Sequence, residues 1–184
     1  MQKTILAIIA LTLCGLANAQ VNSGGACPNL PVQSCLSIKA YAGFWYEYAR
    51  YPAAFEGNGT CVTLTYTKKN QNEMSILGTM IDPSTNKTLS LLSDAKQISN
   101  AKFNVTTKVA TRSPPSLWVL STDYDNYGIN YACLPASGDS HDTFLSIITR
   151  SPTPSAATVA KARNVLRSIG FSLAPMTVTD QSNC

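Results

Sequence analysis

The sequence predicts an all-β domain, a barrel or sandwich of eight meandering strands, followed by one helix. Eight runs rich in β-branched and aromatic residues recur at short, regular spacing, separated by clusters of Asn, Asp, Pro and Ser. Charged residues make up only 13% of the chain while Ser, Thr and Asn are plentiful, which suits an extracellular β protein better than a helical cytosolic one. Only one segment, near the end, carries a helical period.

The elements follow in order. Lys3 precedes the apolar run ILAIIALTLCGLA, which ends at Ala17-Asn18-Ala19. A charged start, a run too short to span a bilayer and a small-x-small site predict a signal peptide over 1–19, leaving 20–184 as one domain. Strands are expected at 44–51, 61–67, 74–81, 88–93, 102–110, 117–122, 127–134 and 143–149. The first is dense in rings: Phe44, Trp45, Tyr46, Tyr48 and Tyr51 share it with Glu47 and Arg50. After Thr153-Pro154, read as cap and first helical position, Val159, Ala162, Leu166 and Ile169 form an apolar stripe with Val165 beside it. Gly170 ends the helix; Lys161, Arg163 and Arg167 decorate its other face. Such a helix buries its stripe on the outside of the sheet.

Alternation orients the strands. Asn58, Asn86 and Asn104 each begin an Asn-x-Thr sequon, and a glycan on Asn104 cannot point into a core. Phe103, Val105, Thr107 and Val109 therefore face inward. Val62, Leu64 and Tyr66 likewise oppose Thr63, Thr65 and Thr67. Met74, Ile76, Gly78 and Met80 share a face, on which Gly78 leaves space. Leu117 and Val119 oppose Trp118 and Leu120, so this strand is apolar on both faces and covered on both, which suits docking of the helix outside.

Once the signal is removed, Cys27, Cys35, Cys61, Cys133 and Cys184 remain, an odd set that suits two disulfides and one spare thiol in an oxidising compartment. The spacing lacks the clustered pairs of a zinc site. The formal charge of +4 is dispersed, with no basic block of the kind nucleic acid requires. No later apolar run is long enough to span a membrane.

Three short motifs, in order, resemble the signatures of the lipocalin family. Gly43-Phe44-Trp45 followed by YEYARYP is similar to the first. STDYDNY, with Thr122, Asp123 and Tyr124, is similar to the second, and Arg150 at the end of FLSIITR to the third. CPNLPVQ and MTVTDQSNC extend the resemblance to the subgroup of apolipoprotein D and the insect bilin-binding proteins. The resemblance implies an eight-stranded up-and-down antiparallel β-barrel with the C-terminal helix packed outside. It implies Trp45 at the closed end with Arg150 across its ring, a cation–π contact and a structural plug. It also implies disulfides Cys27–Cys133 and Cys61–Cys184, each closing a loop of about 100 residues or more, worth about 4–5 kcal/mol on a chain-entropy account. Cys35 departs from the subgroup. It is read as a buried or capped thiol, ahead of intermolecular pairing or thioether attachment of a ligand.

The function implied is that of a secreted carrier for one small hydrophobic ligand. Parity assigns the lining to Leu64, Tyr66, Met74, Ile76, Phe103, Val105, Leu117, Val119, Ile129, Tyr131, Phe144 and Ser146, with Tyr66, Tyr131 and Ser146 able to bond a polar group. Ser146 stands where apolipoprotein D has a Trp. With Gly78 it enlarges the cavity and favours a bulky ligand such as a bilin. Glu47, if inward, pairs with pyrrole N–H groups. No cofactor is required, a bound biliverdin-type chromophore fits the reading, and an oligomer is compatible with it. Lipid, fatty-acid, retinoid or steroid carriage is the alternative. An enzyme is the weaker reading: His141, the single His, sits in SGDSHD and is read as a solvated loop residue. Neither a nucleophile elbow nor a metal motif is present. Some lipocalins isomerise substrates through a pocket Cys, but Cys35 precedes the first strand.

Overall fold

In the computed structural model, which describes residues 21–54, 56–107 and 115–184, the strands close on themselves. Eight antiparallel strands form the barrel: β2 (Gly43–Arg50), β3 (Thr60–Lys68), β4 (Glu73–Asp82), β5 (Lys87–Ser99), β6 (Lys102–Thr107), β7 (Ser116–Thr122), β8 (Tyr127–Ala136) and β9 (Ser140–Thr149). Each pairs with its sequence neighbour, and β2–β9 pairing completes the ring. Closure leaves no barrel strand with a free edge. Two short strands extend the sheet: β1 (Val21–Gly24) lies on β9 and β10 (Thr177–Val178) on β2. The expected signal peptide and inward-facing Val109 lie outside the described residues.

One end of the barrel is sealed by a turn of helix that the sequence does not announce, α1 (Ile38–Tyr41), too short to show a period. Ser37 caps it, accepting a hydrogen bond from the Ala40 N–H at 3.2 Å. Tyr41, Trp45, Met74, Ala101 and Phe103, fully buried, pack beneath it with Ile148. Trp45 donates its indole N–H to the Tyr41 carbonyl at 2.9 Å.

Arg150 locks this floor from outside. Its guanidinium carbon lies 3.6 Å from the Trp45 ring centroid. Its N–H groups reach the carbonyls of Tyr124, Phe44, Ala40 and Ala42 at 2.9, 2.8, 3.2 and 3.0 Å, with Tyr41 at 3.5 Å. The carbonyls orphaned at the end of α1 are thus satisfied by one planar fork. Gly43 makes room: its φ is +108°, and a Cβ there would stand 3.1 Å from Arg150 Nη1. The turn at Thr122–Tyr124 joins the same construction. Thr122 Oγ1 accepts from the Tyr124 N–H, the Asp123 carboxylate accepts from the Asn126 and Tyr127 N–H groups, and the Tyr124 hydroxyl accepts from the Ser37 N–H.

The second helix, α2 (Ala156–Ser168), lies outside, as expected, with Ala162 and Leu166 buried against Leu120, Ile129, Leu145 and Ile147. Its cap is Ser155, whose Oγ accepts from the Thr158 N–H, so Thr153-Pro154 only leads up to it. Disulfides Cys27–Cys133 and Cys61–Cys184 fasten both terminal segments to the wall, spanning 106 and 123 residues. Cys35 is exposed, so its thiol is not buried in the fold. His141 is not a solvated loop residue either: it is the second residue of β9, stands buried opposite Ser23 of β1, and its Nδ1 donates to the Gly25 carbonyl at 2.9 Å.

Arg150→Ala should lower the unfolding free energy by about 2–3 kcal/mol, from the lost ring contact and the carbonyls it leaves unbonded. Arg150→Lys should recover only part, since an ammonium cannot span the fork. Urea unfolding of the three proteins measures this. Equal midpoints would remove Arg150 from the floor's support.

Candidate ligand-binding site

Above the floor the barrel is unfilled. A cavity of about 360 Å³ occupies the half formed by the C-terminal part of β2, the N-terminal part of β3, and their counterparts around the ring. That lies within the range of about 300–1,000 Å³ usual for small-molecule pockets. Val62, Leu64, Ile76, Met80, Leu89, Leu91, Val105, Leu117, Ala132 and Phe144 make its wall apolar. Gly78 and Ser146 keep it wide, and a Cβ on Gly78 would sit in ordinary contact 3.6 Å from Leu64 Cδ2.

Tyr66 and Asn130 form the polar base where cavity meets floor. Asn130 Oδ1 accepts from the Tyr41 hydroxyl at 2.7 Å, and its Nδ2 donates to the Tyr66 hydroxyl at 2.9 Å. Burial pushes the pKa of both phenols up, so both stay neutral. Gly128, one inward position below Asn130, is held small: a Cβ there would meet the Tyr41 hydroxyl at 3.0 Å.

All charge in the described lining comes from three residues, Glu47, Arg50 and Glu56. A bulge between Glu47 and Ala49 lets Glu47 and Arg50 meet on one strand, with Arg50 Nη1 2.6 Å from Glu47 Oε1. Thr179, from the C-terminal segment, donates to the same oxygen at 2.7 Å. Arg50 Nε reaches Glu56 Oε2 at 3.0 Å, and its Nη2 bonds the Gly57 and Gly59 carbonyls, tying the β2–β3 connection to the wall. Burial works against the Arg50 charge, but the two carboxylates outweigh it. Burial and the neighbouring Glu47 push the Glu56 carboxyl up to about 8, against the pull of Arg50.

Residues 42–183 match the model of the lipocalin / cytosolic fatty-acid binding protein family. The chain belongs to the lipocalin family. Among curated relatives of this lipocalin, apolipoprotein D of Mus musculus is 33% identical, covering 98% of this chain and 97% of the relative. Insecticyanin-A of Manduca sexta is 29% identical over 78% of each chain. Among solved structures, insecticyanin from the tobacco hornworm superposes with a TM-score of 0.76 at 22% identity, over 90% of this chain and 91% of that one, a likeness of fold.

The lipocalin barrel brings together many of the residues expected at the site. Glu47, Leu64, Tyr66, Ile76, Val105, Leu117, Phe144 and Ser146 border the cavity. Met74, Phe103 and Val119 face inward but are packed into the floor, because alternation tells face and not height along the barrel axis. Ile129 points the other way, into the cluster beneath α2. Tyr131 borders the cavity, yet its ring packs against Trp118 and Phe171 in that cluster, and its buried hydroxyl has no partner among the described residues. The register explains both: Asn130 stands opposite Ser146 and Ala132 opposite Phe144, so these are the inward residues of β8. Asn130, Arg50 and Glu56 are polar site residues that the sequence does not single out, and Leu89, Leu91 and Ala132 are apolar ones. A lone Asn inside an apolar strand was the available signal for the first; Glu56 lies on a connection, where no period exists.

The raised Glu56 value has a consequence for stability. An ordinary glutamate loses its proton near 4.5, whereas folded Glu56 holds its own to about 8. Across that window the folded chain binds more protons than the unfolded one, so this contribution to stability falls as pH rises. Glu56→Gln should flatten the fall in chemical denaturation series spanning the window. A variant with the wild-type slope would place the titration elsewhere.

Proposed function

We propose that this lipocalin is an extracellular carrier that encloses one small hydrophobic molecule, and that a bilin such as biliverdin is the ligand its cavity suits best. The observation that carries the reading is the division of the barrel into a packed floor and an unfilled apolar half. The wide Gly78–Ser146 region and the N–H-accepting carboxylates support a bulky ligand with pyrrole groups, as does the resemblance to the bilin-binding subgroup. Export is supported by two disulfides, which persist in oxidising compartments, and by the exposure of Asn58, Asn86 and Asn104, each open to a glycan. Among the described residues no helix is long and apolar enough to cross a membrane. Carriage is favoured over catalysis because neither Cys35 nor His141 borders the cavity.

Adjacent substitutions on β6 test the reading. Val105 borders the cavity and Asn104 is exposed. Val105→Trp places an indole in the ligand's volume and should weaken binding at least tenfold, about 1.4 kcal/mol or more. Asn104→Gln should leave affinity unchanged. Titration with biliverdin, a retinoid, a steroid and a fatty acid, followed by visible absorption and tryptophan fluorescence, decides both points. Tightest binding of a ligand other than biliverdin would keep carriage and replace the bilin. Binding unaffected by Val105→Trp would put the ligand outside the barrel.

A further inference from the structure

The cavity holds more acidic groups than basic ones. One guanidinium, Arg50, faces two carboxylates, Glu47 and Glu56, and no other charged side chain lies in the described lining. Both nitrogens of the Arg50 fork and its Nε are engaged: Nη1 with Glu47 and Thr179, Nη2 with two backbone carbonyls, Nε with Glu56. No part of Arg50 is left to receive an anionic head group. Glu47 is fixed through Oε1 by both Arg50 and Thr179. Among the described residues, the Glu56 carboxyl has one polar partner, Arg50 at its Oε2, on the connection between β2 and β3, and its side chain is 22% exposed.

We propose that Glu56 is the polar recognition group of this cavity and that it selects ligands presenting a cation or a strong N–H donor to it over those presenting a carboxylate. This rests on the carrier reading and names the class of head group. The physics is that of a largely buried carboxyl lacking a full counter-charge once it ionises: a ligand cation supplies it, whereas a ligand carboxylate would then add a third negative charge in a low dielectric. Binding of a cation is then coupled to a proton. At neutral pH Glu56 carries a proton, held there by burial and Glu47. A fixed ligand cation displaces that proton to solvent, leaving the ionised carboxylate facing the cation with no other bond made or broken. With a value of about 8, the ionised share of Glu56 rises from about one in a hundred at pH 6 to about nine in ten at pH 9, so affinity for a permanently charged cation climbs over that range.

Calorimetric titration of the full chain with decyltrimethylammonium, decanoate and decanol, at pH 6 and pH 9, tests the proposal. The expected result is a rise of about tenfold or more in ammonium affinity between the two conditions. At pH 9 the ammonium should bind at least tenfold more tightly than decanoate, and decanol should show no pH dependence. Glu56→Gln should abolish the rise. Decanoate binding as tightly as the ammonium, or a pH-independent ammonium affinity in the wild type, would overturn the proposal while decanol binding preserved the carrier reading. Failure of all three to bind would overturn the carrier reading, and this inference with it.

Discussion

The contact on which the rest of this structure depends is Arg150 over Trp45. A guanidinium against an indole face is a modest attraction alone. Here the same group also bonds the last carbonyls of α1 and the carbonyl of Tyr124, so one side chain joins β9, β2, α1 and the β7–β8 turn. The floor is thereby a single construction. Its neighbours follow from it: glycine at position 43, where a side chain would meet Arg150, and Tyr41 packed so closely that position 128 carries no Cβ.

A packed floor allows the other half to stay unfilled. A cavity forfeits dispersion contacts along its wall, and a core with nothing else to hold it apart would collapse inward. Closure of the hydrogen-bonded ring resists that collapse, as do the two disulfides and the Arg50 cluster that ties the β2–β3 connection and the C-terminal segment to β2. A ligand restores the missing contacts and stabilises the fold, increasingly as its free concentration exceeds its dissociation constant. The same cluster that braces the wall supplies the cavity's only charge among the described lining residues. Structure and selectivity are therefore coupled at Glu47, Arg50 and Glu56.

Much of this was legible in the sequence, and the exceptions have physical causes. Alternation fixed the inward face of β3, β4 and β6, helped on β6 by a sequon that had to face water. On β8 both faces are apolar, because α2 covers the outer one, so Ile129 and Tyr131 looked as inward as any. Only the pairing of Asn130 with Ser146 decides between them, and pairing is a long-range fact. β5 runs to Ser99, six residues beyond its apolar stretch, because β4 and β6 hold it on both sides regardless of its own propensity. His141 looked like loop because its neighbours are polar; the strand that pairs with it, β1, lies more than a hundred residues away in sequence.

The central claim is that the upper half of the barrel exists to be occupied. Native mass spectrometry of the protein purified from its own source, without organic solvent, measures this most directly. The account predicts one small hydrophobic molecule per chain, released on denaturation and recoverable by extraction, with red and near-ultraviolet absorption if it is a bilin. A bare chain, colourless and yielding no extractable molecule, would contradict it.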